Sequence, residues 1–534
     1  MNYGFVIDNR MCIGCHACTV ACKSEFDVPL GVNRTHVKYI EKGEFPHNTR
    51  EFSVHRCNHC ADAPCVEICP TTALHTRADG IVDFDNDRCI GCKSCMQACP
   101  YDALYIDPET NTAAKCNYCA HRIDGGYEPA CVVVCPVEAI ISGDLDDTNS
   151  KIAQLVANED TMTRKPEKST VPNLYYINGT TEMLDPNATK MDGDYVWSEQ
   201  ATGVGHYAKY ADQRLAESDT ENLLVQLSME NSARTGKPID KRAIDNVAQE
   251  IQQLDKQEAR RVYDSPSKGV LWGWEVPAYV WTKAIATGTF LMMAVWHYFN
   301  GGLDASSEMV GLIITLIFMG LTGALLVKDI DRPDRFLYVL LRPQWKSWLV
   351  RGAYIITGFG GLVSLKLLDN YFKLGFEWLW IPGVIFAGLG AIYTAFLFNQ
   401  ARARDLWQTP IQSAIHMLVH AVMAGSVVMM IIAPDSSQWM VNILFWGIVA
   451  NMIIIAKEIL LPHDTPDTKK SIELMTKGYY SKYFWVGIVV GSLLPIAILN
   501  TVPGLSIIAG GLALVGIYLT EFVRIRVPQM IPLS

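Results

Sequence analysis

No cysteine follows Cys135 in this chain of 534 residues, and no long apolar run precedes Trp274. These two absences divide the chain into parts of different chemistry before any motif is read. The opening MNYGFVIDNR has neither an apolar h-region nor twin arginines, so a secreted disulfide framework is not expected for the 16 cysteines. An excess of basic charge is lacking as well. Residues 1–143 carry a formal charge of −6 and residues 144–265 carry −8, while the remainder carries +4. An acidic head and an acidic middle exclude nucleic acid as the partner.

The cysteines that are present fall into four quartets. The first is Cys12, Cys15, Cys18 and Cys22 in CIGCHACTVAC, and the second is Cys57, Cys60, Cys65 and Cys69 in CNHCADAPCVEICP. The third is Cys89, Cys92, Cys95 and Cys99 in CIGCKSCMQACP, and the fourth is Cys116, Cys119, Cys131 and Cys135. The third quartet is the C-x2-C-x2-C-x3-C-P run of bacterial ferredoxins, in which three thiolates hold one cluster and the fourth reaches a second. Two intervening residues let the chain curl around a cubane, so that successive sulfurs meet different irons. The longer last step sends its sulfur to the neighbouring cluster, and the proline turns the backbone away. Thiolates at this density select iron–sulfur clusters or zinc. Isolated C-x2-C pairs would suit zinc, but four quartets, three of them ending in Cys-Pro, point to iron.

The four-quartet arrangement resembles the iron–sulfur subunits of the molybdopterin oxidoreductase superfamily, of dimethyl-sulfoxide reductase and polysulfide reductase type, over residues 3–145. The resemblance implies four 4Fe–4S clusters in crossed sets. One set is Cys12, Cys15, Cys18 and Cys135, and its partner is Cys22, Cys116, Cys119 and Cys131. A third is Cys57, Cys60, Cys65 and Cys99, and the fourth is Cys69, Cys89, Cys92 and Cys95. His16, His59 and Lys93 sit inside these loops, either as donors that raise cluster potentials or as solvated loop residues.

The fold expected is an α+β ferredoxin-like iron–sulfur domain (1–145), followed by an all-α polytopic membrane domain with eight transmembrane helices (269–534). A polar, acidic connecting segment (146–268) joins them. Within that segment Ile244, Val247, Ile251 and Leu254 recur at helical spacing, so one amphipathic helix is expected in a tether that packs on the head or on a partner. The membrane spans are expected near 277–299, 308–328, 349–368, 377–399, 411–433, 439–461, 484–499 and 505–524. Trp and Tyr cluster at their ends, as an interfacial belt should.

WGWEVPAYVWTKAIATG before and within the first span, and KDIDRPDRF after the second, resemble the NrfD/PsrC family of quinone-reactive membrane subunits over residues 270–525. Quinone chemistry (menaquinone or ubiquinone) needs protonatable groups in an apolar cleft. Ionisable residues in membrane helices are candidates because they are costly there. Glu275, Tyr279 and Lys283 share one helix face at the end joined to the head, and are expected at the quinone head group. The alternative is an interfacial Glu and Tyr with a snorkelling Lys. Asp329 and Arg332, with Asp331, Asp334 and Arg335, are expected to stage protons or dock the head, or to form a plain loop. His416 and His420 are candidates for proton transfer; these two or His297 would otherwise be haem ligands.

The resemblance implies a subunit of a respiratory oxidoreductase in a bacterial or archaeal cytoplasmic (inner) membrane. It would pass electrons between quinone and a separate catalytic subunit, of molybdopterin type. The alternative is a proton-translocating module of a quinol-oxidising complex with multihaem cytochrome partners. Fourteen Lys and Arg residues in the loops on the head side, against Lys366 and Lys373 opposite, place the head in the cytoplasm; a periplasmic head is the alternative.

Overall fold

A computed structural model describes residues 1–42, 49–191, 259–265, 268–463 and 465–534. The amphipathic helix expected around 244–254 lies outside the described residues.

The described strands of the head are β1 (Tyr3–Asp8), β2 (Thr35–Lys42), β3 (Thr49–Arg56), β4 (Leu74–Thr76), β5 (Val82–Phe84) and β6 (Leu104–Ile106). They continue with β7 (Ala113–Lys115), β8 (Ile140–Asp144), β9 (Thr161–Met162), β10 (Leu174–Ile177), β11 (Lys190–Met191) and β12 (Arg260–Tyr263). One sheet runs β8-β1-β10-β9 and a second β11-β12-β2-β3, while β4-β5 and β6-β7 are hairpins. Each hairpin follows a Cys-Pro, Cys69-Pro70 before β4 and Cys99-Pro100 before β6. Proline fixes φ and offers no N–H, so a short helix carrying cysteines ends there and the chain returns as a strand. The same unit, a helix (Pro64–Ile68 or Ser94–Ala98) followed by a hairpin, therefore occurs twice.

Strands beyond residue 145 also pair with those of the head. β10 lies beside β1 in parallel register, Phe5 opposite Leu174, and β12 pairs with β2. The segment expected to join the halves thus packs on the head through β10 and β12. Phe5, Val6 and Ile7 of β1 are almost wholly buried, and it is β8 and β10 that cover its two edges.

Among the described residues, eight helices are long and apolar enough to cross a membrane: Glu275–Asn300, Ala305–Lys328, Trp348–Phe372, Glu377–Gln400, Pro410–Ile432, Pro434–Leu460, Ser481–Thr501 and Ser506–Met530. The first is the axis of the bundle, with 89% of its most apolar stretch buried, against 22% for the third, which lies on the outside. Small residues let the central helices touch. Gly288 and Gly425 bring the first and fifth spans together, and a Cβ on either would strike the other backbone. In the seventh span Val489–Leu493 winds as a π-helix where Gly491 lies on Gly516 of the eighth. Close backbone approach of this kind is how membrane helices associate without a hydrophobic driving force.

Candidate functional site

The fold gathers the cysteines by threes and ones. Cys12 faces Cys15 and Cys135, and Cys18 lies beside Cys12. Cys22 faces Cys116, Cys119 and Cys131. One cavity is lined by Cys57, Cys60, Cys65 and Cys99, and another by Cys69, Cys89, Cys92 and Cys95. None of the sixteen is tied up in a disulfide. Backbone amides point at several sulfurs: Gly91 and Ala113 donate to Cys89 Sγ at 3.4 and 3.3 Å, and Ala139 to Cys135 Sγ at 3.2 Å. Donors to sulfur are what an anionic, thiolate-ligated cluster requires, so the donor set fits iron–sulfur chemistry.

The loops achieve this with left-handed residues at matching places, Gly14 and His16 in the first quartet, Gly91 and Lys93 in the third. A Cβ at Gly91 would meet Asp331 Cβ at 2.8 Å and the Asn111 carbonyl at 2.9 Å, so only glycine lets this loop seat. The solvated-loop reading does not hold for His59 or Lys93, both buried. The Val82 N–H donates to His59 Nδ1 at 3.1 Å, and burial holds the imidazole well below its usual range. Its one proton therefore sits on Nε2, 3.8 Å from Cys116 Sγ. His16 is half-buried between Tyr39 and Tyr263.

The third quartet meets the membrane half directly. Asp331 and Arg332 donate backbone N–H groups to the Gly91 and Ile90 carbonyls at 3.3 and 3.2 Å. Lys93 Nζ donates to the Asp329 carbonyl at 2.7 Å and pairs with Asp331 at 3.2 Å. Trp272 Nε1 donates to the Cys92 carbonyl at 3.3 Å, and its ring stacks on Trp407 at 5.5 Å. Arg402 pairs with Asp62 and Glu67, and Arg404 donates to Gln97. The stretch 329–335 is thus a docking loop. The Arg332 side chain binds Asp334 and the Thr110 carbonyl, so the structure does not bring it to Tyr279 or Lys283.

Just beyond that junction, Glu275 opens the first span with its carboxylate 3.8 Å from Lys328 Nζ. Tyr279 and Lys283 are buried behind it. Lys283 Nζ donates to Thr394 Oγ1 at 2.5 Å and lies 4.3 Å from the Tyr393 ring centroid. A snorkelling lysine is therefore excluded, since Lys283 points inward.

His416 and His420 stand in a separate buried cluster of the fifth, sixth and eighth spans. Both Nε2 atoms face Asn451 Oδ1, at 2.6 and 3.0 Å. Arg524 Nη1 lies 2.5 Å from His416 Nδ1, and Arg524 pairs with Glu458 and Glu521. His420 Nδ1 is 3.4 Å from Glu521 Oε1. A guanidinium only donates, so His416 Nδ1 accepts and its proton is on Nε2, toward Asn451. His420 Nε2 faces the same Asn451 oxygen, and its Nδ1, beside Glu521, has no hydrogen-bond partner. Near the opposite membrane face Lys366 pairs with Asp369 at 2.8 Å and approaches Glu308 and Glu377, and His297 approaches Glu377 at 3.4 Å.

Glu521, Asn451, Glu458 and the Lys366–Asp369 pair are buried polar groups that the sequence reading does not single out as site candidates. The signal is there, because each is a polar residue inside an apolar run. Arg524 and Lys366, which the sequence pattern assigns to loops, belong instead to helices that run past both, and both are buried.

Residues 49–145 match a family described as 4Fe-4S dicluster domain, and residues 264–532 match one described as Polysulphide reductase, NrfD. The head is 42% identical over 208 residues to the iron–sulfur subunit of a putative dimethyl sulfoxide reductase of Halobacterium salinarum, covering 33% of this chain and 79% of that protein. It is 43% identical over 178 residues to a component of the polysulfide reductase of Wolinella succinogenes, covering 33% of this chain and 93% of the relative. A component of the tetrathionate reductase of Salmonella typhimurium is 44% identical over 179 residues, with 33% and 72% covered.

Proposed function

The chain belongs to the polysulphide reductase NrfD family, and from that premise we propose that it carries electrons between membrane quinone and a separate catalytic subunit through four 4Fe–4S clusters. The ligand sets are Cys12, Cys15, Cys18 and Cys135; Cys22, Cys116, Cys119 and Cys131; Cys57, Cys60, Cys65 and Cys99; and Cys69, Cys89, Cys92 and Cys95. The observation that carries this reading is the seating of the Ile90–Lys93 loop on the membrane half. It puts the fourth set next to the span that bears Glu275, Tyr279 and Lys283. When bound, the clusters supply one-electron transfer; the chain's residues hold the protons that quinone chemistry exchanges. Tyr279 and Lys283 serve the head group from inside the bundle, and Glu275 stands at the rim, where it can pass protons to water.

At the other end of the head Cys15 is exposed, and Met11, Ile13, Val20, Val133 and Val134 around the first set are exposed apolar residues. Such a patch marks a protein interface, and it supports docking of a catalytic subunit, of molybdopterin type, over the first set. Replacement Glu275→Gln is expected to slow quinol-dependent cluster reduction at least about tenfold, as loss of an acid–base group does, with dithionite reduction unchanged. Equal quinol rates in both proteins would remove Glu275 from the site.

A second reading is favoured by the two buried ionisable clusters, His416–His420–Glu521 toward the head and Lys366–Asp369 toward the opposite face. In it the bundle also moves protons, as part of a quinol-oxidising complex with multihaem cytochrome partners. Proton uptake by sealed vesicles during quinol turnover, beyond what the quinone itself exchanges, separates the two readings.

The head is assigned to the cytoplasmic side of a bacterial or archaeal membrane. Arg332, Arg335, Arg402 and Arg404 are engaged in docking, yet Lys469, Lys470, Lys477 and Lys482 keep that side the more basic. A surface cysteine engineered into the head is expected to resist an impermeant label until cells are lysed. Labelling in intact cells would put the head outside.

A further inference from the structure

Arg56 ends β3, immediately before Cys57. Its side chain is 2% exposed, and Nη1 is 2.9 Å from Cys131 Sγ, with the guanidinium 4.7 Å above the Phe5 ring. The same group faces Cys18 and Cys116. Its Nε and Nη2 have no hydrogen-bond partner, and among the described residues it forms no ion pair. Lys115 is buried as well. Its Nζ donates to the Val82 carbonyl and, at 2.9 Å, to the Cys116 carbonyl, and it faces Cys57 and Cys65. It too lacks an ion pair among the described residues.

Burying a guanidinium without a counter-ion is strongly unfavourable, so these cations need a negative partner that the carboxylates do not supply. The sulfurs they face are that partner. Cys18 belongs to the first ligand set and Cys131 and Cys116 to the second, while Cys57 and Cys65 belong to the third. We propose that Arg56 is a redox-tuning residue shared by the first and second clusters, and that Lys115 does the same for the third.

The inference rests on the ligand sets proposed above. A cluster with four thiolates is an anion and gains one more negative charge on reduction. A fixed cation between two such anions favours the reduced form of both, and cluster potentials respond to nearby charge and hydrogen bonds. Arginine does not lose its proton in proteins, so the added electron is compensated in place, with no proton moved. Raising two neighbouring clusters together leaves the step between them unchanged.

The test is a redox titration of the anaerobically purified full chain, read by electron paramagnetic resonance with iron counted for each protein. Arg56→Gln is expected to lower two of four midpoint potentials, each by a tenfold shift in the reduced-to-oxidised ratio, or about 59 mV for one electron. The other two stay in place. Arg56→Lys, which keeps the charge, is expected to stay near the parent. Lys115→Met should lower one potential, that of the third cluster, which Arg56→Gln leaves in place. Four unmoved potentials in a fully loaded Arg56→Gln protein would overturn the proposal, as would an Arg56→Lys shift as large as that of Gln. If Arg56→Gln loses iron, Arg56→Lys and Lys115→Met decide it by the same criteria. A parent with fewer than four clusters would instead refute the ligand sets, which keeps the two failures distinct.

Discussion

Alanine at Gly288 is expected to prevent the membrane half from assembling, the largest stability effect predicted for a single added methyl in this protein. Gly288 sits at the crossing of the first and fifth spans. A Cβ there would overlap the Ala421 carbonyl, and one on Gly425 would overlap the Gly288 carbonyl. Both obstacles are backbone, so no side chain can turn aside. Overpacking a core typically costs about 1–3 kcal/mol, and two backbones that cannot yield place this site at or above the upper end. Because the first span is the axis of the bundle, separating it from the fifth also moves Lys283 relative to His416. Gly360→Ala and Gly323→Ala are the controls, since a Cβ at either meets open space. Detergent-solubilised thermal unfolding should show Gly288→Ala and Gly425→Ala aggregated or strongly destabilised and both controls at the parent's midpoint. A Gly288→Ala protein as stable as the parent would mean that the crossing is looser than described.

The largest functional effect is expected at Lys283. Its ammonium is buried, it touches Thr394 and the Tyr393 ring, and among the described residues it forms no ion pair. A charge so placed costs stability, so Lys283→Met, of similar length, is expected to leave the unfolding midpoint unchanged or raised. Electron exchange with quinone is expected to fall about a hundredfold, within the range for loss of a general acid or base, while dithionite still reduces every cluster. Activity lost without stability lost distinguishes a chemical role from a packing one. A Met variant that exchanges electrons with quinone at the parent's rate would assign Lys283 to structure and shift the site toward His420 and Glu521.

Much of this architecture is legible in the sequence because its determinants are local. Cysteine spacing is set by the size of a cubane, so the quartets declare themselves, and apolar runs announce membrane helices one by one. The crossing of the quartets is not local; Cys135 joins Cys12 only because β8 returns beside β1, and resemblance rather than spacing anticipates it. The extension of the head past residue 145 is hidden for a related reason. β9 to β12 are two to four residues long, too short for an alternating pattern, and β10 and β12 pair with strands more than a hundred residues away. Arg56 carries no signal at all in the sequence, being one arginine at a strand end. Its significance arises from its burial against Cys131 with no carboxylate partner among the described residues, which only packing reveals. Glu521 and Arg524 fall inside the span expected at 505–524 and are legible there as ionisable residues of a membrane helix.

The central claim is that the membrane half and the clusters form one electron path. It is tested most directly by adding a menaquinone analogue to the purified full chain, reduced with dithionite and freed of excess reductant, and following cluster absorbance in a stopped flow. The clusters are expected to reoxidise with no other protein present, and more slowly in Glu275→Gln and Lys283→Met. Clusters that stay reduced beside quinone, yet reoxidise with a soluble acceptor, would contradict the account and leave the eight helices as an anchor.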